Sequence, residues 1–247
     1  MQLRILGSGD AFSSGGRLTS CYVVDGGPTR FMVDCGHSAL AALHRAALST
    51  NDIPLIFISH LHGDHFGGLP SLFIDALYPR QRSTPLIVVG PPSLENRFHM
   101  ACEVLYARIA LVKPAFDIQF IELDLNKRRE IEGITVTPFE ADHYSGAPSY
   151  AYRFEIGKKV FAFSGDTGWC NTVFDVGRDA DLYLLECYQY DLQLPMHLDY
   201  LTIENNYEKF NAKRIILTHM GDGMLANHNR VDRTRYELAE DGMTVDF

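Results

Sequence analysis

The run Ser59-His60-Leu61-His62-Gly63-Asp64-His65 sets three imidazoles and a carboxylate within six residues, directly after the apolar stretch Leu55-Ile56-Phe57-Ile58. On a loop leaving a strand end, His60 and His62 point the same way and can chelate one ion, while Asp64 and His65 continue round the turn towards a second. Imidazole and carboxylate without thiolate suit Zn²⁺, Mn²⁺ or Fe²⁺. The chemistry on offer is metal-assisted hydrolysis. Two ions about 3.5–4 Å apart share a water, lower its pKa towards neutrality and clamp both the attacking and the departing oxygen.

Four residues cannot close two coordination shells, so further ligands must come from elsewhere. Candidates stand just past other apolar stretches: His143 in Ala141-Asp142-His143, Asp166 in Ser164-Gly165-Asp166-Thr167, and His219 after Ile215-Ile216-Leu217-Thr218. Each is weak alone, because a lone His is more often structural and Asp166 has the setting of a turn residue. Beside the first cluster they gain weight together.

Elements that could position these residues are legible as short β-rich runs. Strands are expected at residues 3–6, 21–25, 30–34, 55–59 and 86–89, then at 118–122, 134–138, 149–156, 159–164, 181–185 and 214–218. Gly26-Gly27-Pro28 and Gly157-Lys158 read as hairpin turns. Apolar residues near a 3.6 period predict helices over 38–47, 68–77, 93–106 and 199–210, with a fainter pattern over 230–239. Strand runs interrupted by helices predict an α/β sandwich, two sheets packed together with helices outside.

With no linker or fixed-period repeat, residues 1–247 read as a single domain. No apolar run reaches the ~18 residues of a membrane span, and the N-terminus reads as a strand rather than a signal peptide, so a cytoplasmic protein is expected. The five cysteines are scattered without a C-x-x-C pair, which argues against a disulfide framework or a thiolate zinc site. A formal charge of −9, with Lys127-Arg128-Arg129 as the one basic run, argues against long nucleic acid as a partner. The glycines between Gly7 and Gly16 match neither a Rossmann nor a P-loop spacing. Arg17 beside them is a candidate contact for an anionic substrate.

The H-x-H-x-D-H pattern of His60, His62, Asp64 and His65, followed in order by His143, Asp166 in a G-D-T setting and His219, resembles the metallo-β-lactamase superfamily across nearly the whole chain. The resemblance implies an αββα sandwich, two mixed β-sheets with helices on both outer faces and the metals at one sheet edge. It implies that His60, His62 and His143 hold one metal, Asp64, His65 and His219 the other, and that Asp166 bridges them. Zn²⁺ is the first expectation for the pair, with Mn²⁺ or Fe²⁺ as alternatives. Asp34, at an early strand end, is expected to orient a ligand rather than bind metal. His37, His44 and His99 read as structural or surface residues.

Within the superfamily the chain is similar to ribonuclease Z and to cyclic-phosphate phosphodiesterases. Only 23 residues separate His143 from Asp166, where long ribonuclease Z enzymes insert a substrate-gripping arm. His197, 22 residues before His219, stands where both branches place an extra His that is not a ligand. That position implies a general acid, with Asp64 a ligand and also a candidate base. Glu186 matches a Glu of the ribonuclease Z motif, but Leu185 precedes it where that group has a His, which argues against a Glu–His relay. The Cys-rich structural zinc site of the phosphodiesterase that opens cyclic ribose phosphates is absent.

Two divalent ions with Asp64, Asp166 and a shared hydroxide leave the site net positive, which favours a small anionic ester. The expected function is hydrolysis of small, cyclic phosphodiesters by attack of the shared hydroxide. Alternatives are a lactonase or other carboxylic-ester hydrolase, or a metal-dependent binding protein without turnover. The resemblance also implies a homodimer.

Overall fold

The computed structural model describes residues 1–109 and 112–247. Six strands form in the first half: β1 (Gln2–Gly7), β2 (Cys21–Asp25), β3 (Phe31–Val33), β4 (Leu55–Phe57), β5 (Leu86–Gly90) and β6 (Ile118–Glu122). The second half gives β7 (Arg129–Ile131), β8 (Ile134–Tyr144), β9 (Pro148–Ile156), β10 (Lys159–Phe163), β11 (Leu182–Glu186), β12 (Ile215–Thr218) and β13 (Tyr236–Leu238). A last strand, β14 (Met243–Asp246), returns to pair antiparallel with β1. The result is two seven-stranded mixed sheets, ordered β14-β1-β2-β3-β4-β5-β6 and β13-β12-β11-β10-β9-β8-β7.

Strand periodicity sorts the side chains into layers. Tyr22 and Val24 of β2, Phe31 and Val33 of β3, and Leu55 and Phe57 of β4 face Tyr152 and Phe154 of β9 and Phe161 and Phe163 of β10 across the space between the sheets. Edge-on ring contacts such as Phe57–Phe154, 4.9 Å between centroids, fill that layer. The alternate residues Val23, Met32 and Ile56 face outward to α1 (Ala39–Arg45), α3 (Leu69–Leu77) and α4 (Leu94–Leu105). On the other sheet Ala162, Tyr183, Leu185 and Leu217 pack beneath α5 (Thr172–Gly177) and α6 (Tyr200–Asn205). Both faces of the central strands are therefore covered, as parallel strands require. Two one-turn helices, α2 (Gly63–Phe66) and α7 (Asp222–Leu225), follow β4 and β12.

The expected sandwich is present, with departures in individual elements: β7, β14 and α5 were not expected, and three further segments differ from their expectation. Residues 230–239 were expected as a helix but hold β13, parallel to β12. There Tyr236 and Leu238 are buried and Glu237 between them pairs with Arg214, a two-residue period that the surrounding charges disguise. The helix expected over 199–210 is α6 alone, capped by the Asp199 side chain on Thr202 N–H at 2.9 Å, followed by a separate 3-10 turn at Tyr207–Lys209. The strand expected over 134–138 runs on to Tyr144, so His143 lies within β8 rather than past it. No helix among the described residues is long and apolar enough to cross a membrane.

Candidate metal centre

Strands β3 to β6 run parallel, as do β10 to β13, so the loops at their C-terminal ends gather at one edge of the sandwich. His60 and His62 leave β4, and α2 carries Asp64 and His65. The backbone after β3 lies against this turn: Cys35 N–H donates to His65 O at 2.6 Å, and a Cβ on Gly68 would stand 2.2 Å from Gly36 O. That close approach places the buried Asp34 carboxylate beside His65, where it accepts from Nδ1 at 2.6 Å while Ser59 N–H and Oγ–H donate to it at 2.7 and 2.8 Å. Asp34 therefore orients a candidate ligand, as expected.

A register shift in the β8–β9 pairing between Ala141 and Tyr144 turns His143 into the site. Its Nδ1 faces the Met196 carbonyl at 2.9 Å, which puts the proton on Nδ1 and leaves the Nε2 lone pair for the site, 3.0 Å from His62 Nδ1. Asp166 follows β10 and His219 follows β12. Asp34 and His219 both hold left-handed φ values, 60° and 58°, a strain of about 1 kcal/mol each that side chains other than glycine rarely carry.

The structure brings all seven expected ligands together. His60, His62 and His143 form one group and Asp64, His65, Asp166 and His219 another, each with its donor atoms within 4.8 Å of one another. Asp166 Oδ2 joins the two, 3.7 Å from His60 Nε2, 3.9 Å from His143 Nε2 and 3.4 Å from His219 Nε2. His219 Nε2 also lies 3.1 Å from Asp64 Oδ2 and 3.3 Å from His65 Nε2.

Electrostatics suit cations at both groups. Burial holds His60 well below the usual histidine range and lowers His62 and His143, favouring the neutral imidazole that binds metal. At His65 burial opposes the charged form, yet Asp166, Asp64 and Asp34 outweigh it and raise the pKa well above normal. His219, buried beside Asp166 and Asp64, is raised to about 9. The carboxylates thus demand positive charge, which protons or metal cations can provide. His60 Nε2 is buried without a hydrogen-bond partner among the described residues, and Asp166 Oδ1 meets another candidate ligand, His65 Nε2, at 3.2 Å. An orphan such as His60 Nε2 carries a desolvation cost that coordination would remove. The donor set fits two divalent ions.

His197 lies at the edge of the cluster with Nδ1 3.3 Å from both carboxylate oxygens of Glu186. The absence of a His at position 185, which argues against a Glu–His relay, does not keep Glu186 from pairing with His197. Thr167 N–H fixes Glu186 Oε1 at 2.6 Å. Burial lowers the His197 pKa, but the Glu186 hydrogen bond and charge outweigh it, and the net shift is upward.

Sequence reasoning missed Tyr188, whose ring lies 4.8 Å from His197, and Phe12, Leu194 and Met196, which with the cluster line a cavity of about 340 Å³. No motif marks them, because apolar wall residues have no fixed spacing to a metal site. Arg17, the candidate anion contact, spends its guanidinium on Ser8 Oγ and the Ala239 carbonyl. His37, His44 and His99 stand outside the cluster.

Residues 1–245 match the family model described as anti-Pycsar protein Apyc1. Among curated proteins, ribonuclease Z of Staphylococcus carnosus is 28% identical over 158 residues, covering 63% of this chain and 49% of that protein. The chain thus spans about half the length of the first curated relatives it matches. The metallo-β-lactamase fold protein YhfI of Bacillus subtilis superposes with a TM-score of 0.80 at 19% identity, covering 99% of this chain and 98% of that one. The short form of human tRNase Z superposes with a TM-score of 0.79 at 24% identity, covering 100% of this chain and 99% of that one. At these identities the structural likeness bears on the fold.

Proposed function

This chain belongs to the anti-Pycsar protein Apyc1 family, on a metallo-β-lactamase fold, and from that premise we propose that it is a binuclear metal-dependent hydrolase of small cyclic phosphodiesters. The observation that carries the reading is the pair of donor groups joined through Asp166, with the Glu186–His197 pair beside them. His60, His62 and His143 would hold one ion, Asp64, His65 and His219 the other, and Asp166 both. When bound, the ions acidify a water and offset the negative charge of the ester.

The remaining steps fall to the chain's own side chains. With Nδ1 engaged by Glu186, His197 has its other ring nitrogen free to carry a proton. As water attacks phosphorus and the P–O bond to the leaving oxygen breaks, that nitrogen gives its proton to the departing alkoxide, a step worth about 10²–10⁴-fold in rate. Asp64 is held well below the usual carboxylate range by His65 and His219, against the upward push of burial. It therefore stays ionised as a ligand, and a carboxylate held so low is a weak acceptor for a proton from the attacking water.

Two features support a compact substrate. Between His143 and Asp166 the chain makes only the β8–β9 turn and the β9–β10 hairpin, which leaves no arm to grip a polymer. The formal charge of −9 also disfavours a long polyanion. The five free cysteines fit a reducing, cytoplasmic setting. A homodimer, as the resemblance implies, belongs to this proposal.

A panel of 3′,5′-cyclic nucleotides, bis-p-nitrophenyl phosphate, a homoserine lactone and a precursor tRNA separates the readings. Turnover of the first two with little of the others is the expected outcome. Lactone opening alone would transfer the proposal to carboxylic esters, and no turnover by the metal-loaded protein would leave a binding protein.

A further inference from the structure

We propose that the cavity between β1, α1 and the start of β14 is a second binding site, which takes a small organic phosphate monoester on Arg4 and Arg45. It shares no lining residue with the cavity at the metal cluster, so it stands apart from the chemistry proposed there.

Arg4 comes from β1 and Arg45 from the last turn of α1, and both line the cavity. Arginine–carboxylate pairs among the described residues take up Arg30, Arg80, Arg128, Arg178, Arg214 and Arg235, but neither of these two. Arg4 Nη2 donates to the Ala46 carbonyl at 3.0 Å, which holds the guanidinium against the end of α1 and leaves its other N–H donors for a ligand. The carboxylate on the wall, Asp241, is already engaged. It accepts from Ser8 N–H and Oγ–H at 2.9 and 2.8 Å and from Leu18 N–H at 2.8 Å. Two guanidinium charges without a carboxylate partner thus meet at one cavity of a chain whose formal charge is −9.

The walls stand ready before a ligand arrives. Gly242 holds a left-handed φ of 85° and donates its N–H to Ile5 O at 2.8 Å, which ties the loop carrying Asp241 to β1. With Arg4 and Asp241 also held, little ordering entropy is lost on binding. Leu6, Leu18, Ala42 and Ala46 give the remaining lining an apolar character. The cavity volume, about 290 Å³, lies beside the lower end of the ~300–1,000 Å³ typical of small-molecule sites, room for a phosphate with a short carbon body.

One guanidinium fork suits a carboxylate or a phosphate equally. Two forks from separate elements decide between them. A carboxylate presents two oxygens in one plane, whereas a phosphate monoester carries a charge of about −1.5 to −2 and three acceptor oxygens that two arginines can share. The apolar lining then meets the ester's carbon skeleton, a part that inorganic phosphate lacks.

Calorimetric titration of the metal-loaded protein with glycerol 3-phosphate, and with glycerate as the carboxylate of the same skeleton, tests this on wild type, Arg4→Gln and Arg45→Gln. The wild-type binding event should weaken roughly 10- to 100-fold in each variant, the effect of losing a hydrogen bond to a charged group. Glycerate should bind wild type about tenfold more weakly than the phosphate ester, the worth of one further charge-assisted bond. Both variants leave the candidate metal ligands untouched, so an event that neither weakens belongs to the metal cluster and overturns the proposal. No event in wild type, or equal binding of glycerate, overturns it too. Arg45 is exposed, so Arg45→Gln spares the core, and a Tm equal to that of wild type shows that its lost binding reports the site rather than the fold.

Discussion

Asp34 accepts a hydrogen bond from His65 Nδ1 at 2.6 Å from beneath a buried turn, and so fixes which nitrogen His65 presents to the cluster. Replacing Asp34 with Asn keeps the shape but removes the charge that sets this tautomer. Metal affinity should fall about 10–100-fold, the usual effect of losing such a partner. Competition with a chelator of known affinity measures it, and an unchanged affinity would mean that His65 is oriented without Asp34.

His197 and Glu186 should separate binding from turnover. His197→Ala is expected to lower kcat about 10²–10⁴-fold while metal content stays at the wild-type level. Glu186→Gln removes the group that raises the His197 pKa against burial. The protonated acid would then be lost at lower pH, so the basic limb of the kcat/KM profile should move downward in pH. An unmoved limb would assign that limb to another group.

The Glu186–His197 pair also shows where sequence reading goes astray. Leu185 in the sequence argues against a relay, but adjacent residues of β11 face opposite sides: Leu185 packs into the outer core and Glu186 turns towards the cluster. Residue 185 had no bearing on the pair. By contrast the candidate ligands His60, His62, Asp64 and His65 are legible as a cluster because their donors are close in sequence and their types match one chemistry. The β13 error has a related root: the faint 3.6 period of the apolar residues in 230–239 suggests a helix, whereas Tyr236 and Leu238 pack with period two. Phe12 and Tyr188 reach the cavity only through tertiary packing, which no local pattern encodes.

Gly168 tests the segment that carries His197. A Cβ there would stand 2.2 Å from Pro195 O, and the next carbonyl, that of Met196, faces His143 Nδ1. Gly168→Ala should push this segment outward, displacing His143 and His197 together. About 1–3 kcal/mol of stability should be lost in denaturant unfolding, along with most of the turnover. Retention of both would show that the segment shifts without consequence.

Metal should also stabilise the fold, because ions that bind only the native chain shift unfolding by mass action. Free metal at 100 times its Kd contributes about 2.7 kcal/mol, so chelation should lower Tm by several degrees and reloading with Zn²⁺ or Mn²⁺ should restore it. A Tm indifferent to chelator would argue against tight binding at the buried cluster.

The most direct test of the binuclear phosphodiesterase is hydrolysis of a 3′,5′-cyclic nucleotide by protein of measured metal content. Close to two divalent ions per chain are predicted, with turnover that disappears on chelation and returns on reloading. One ion or none, with no turnover after reloading with Zn²⁺ or Mn²⁺, would contradict the account.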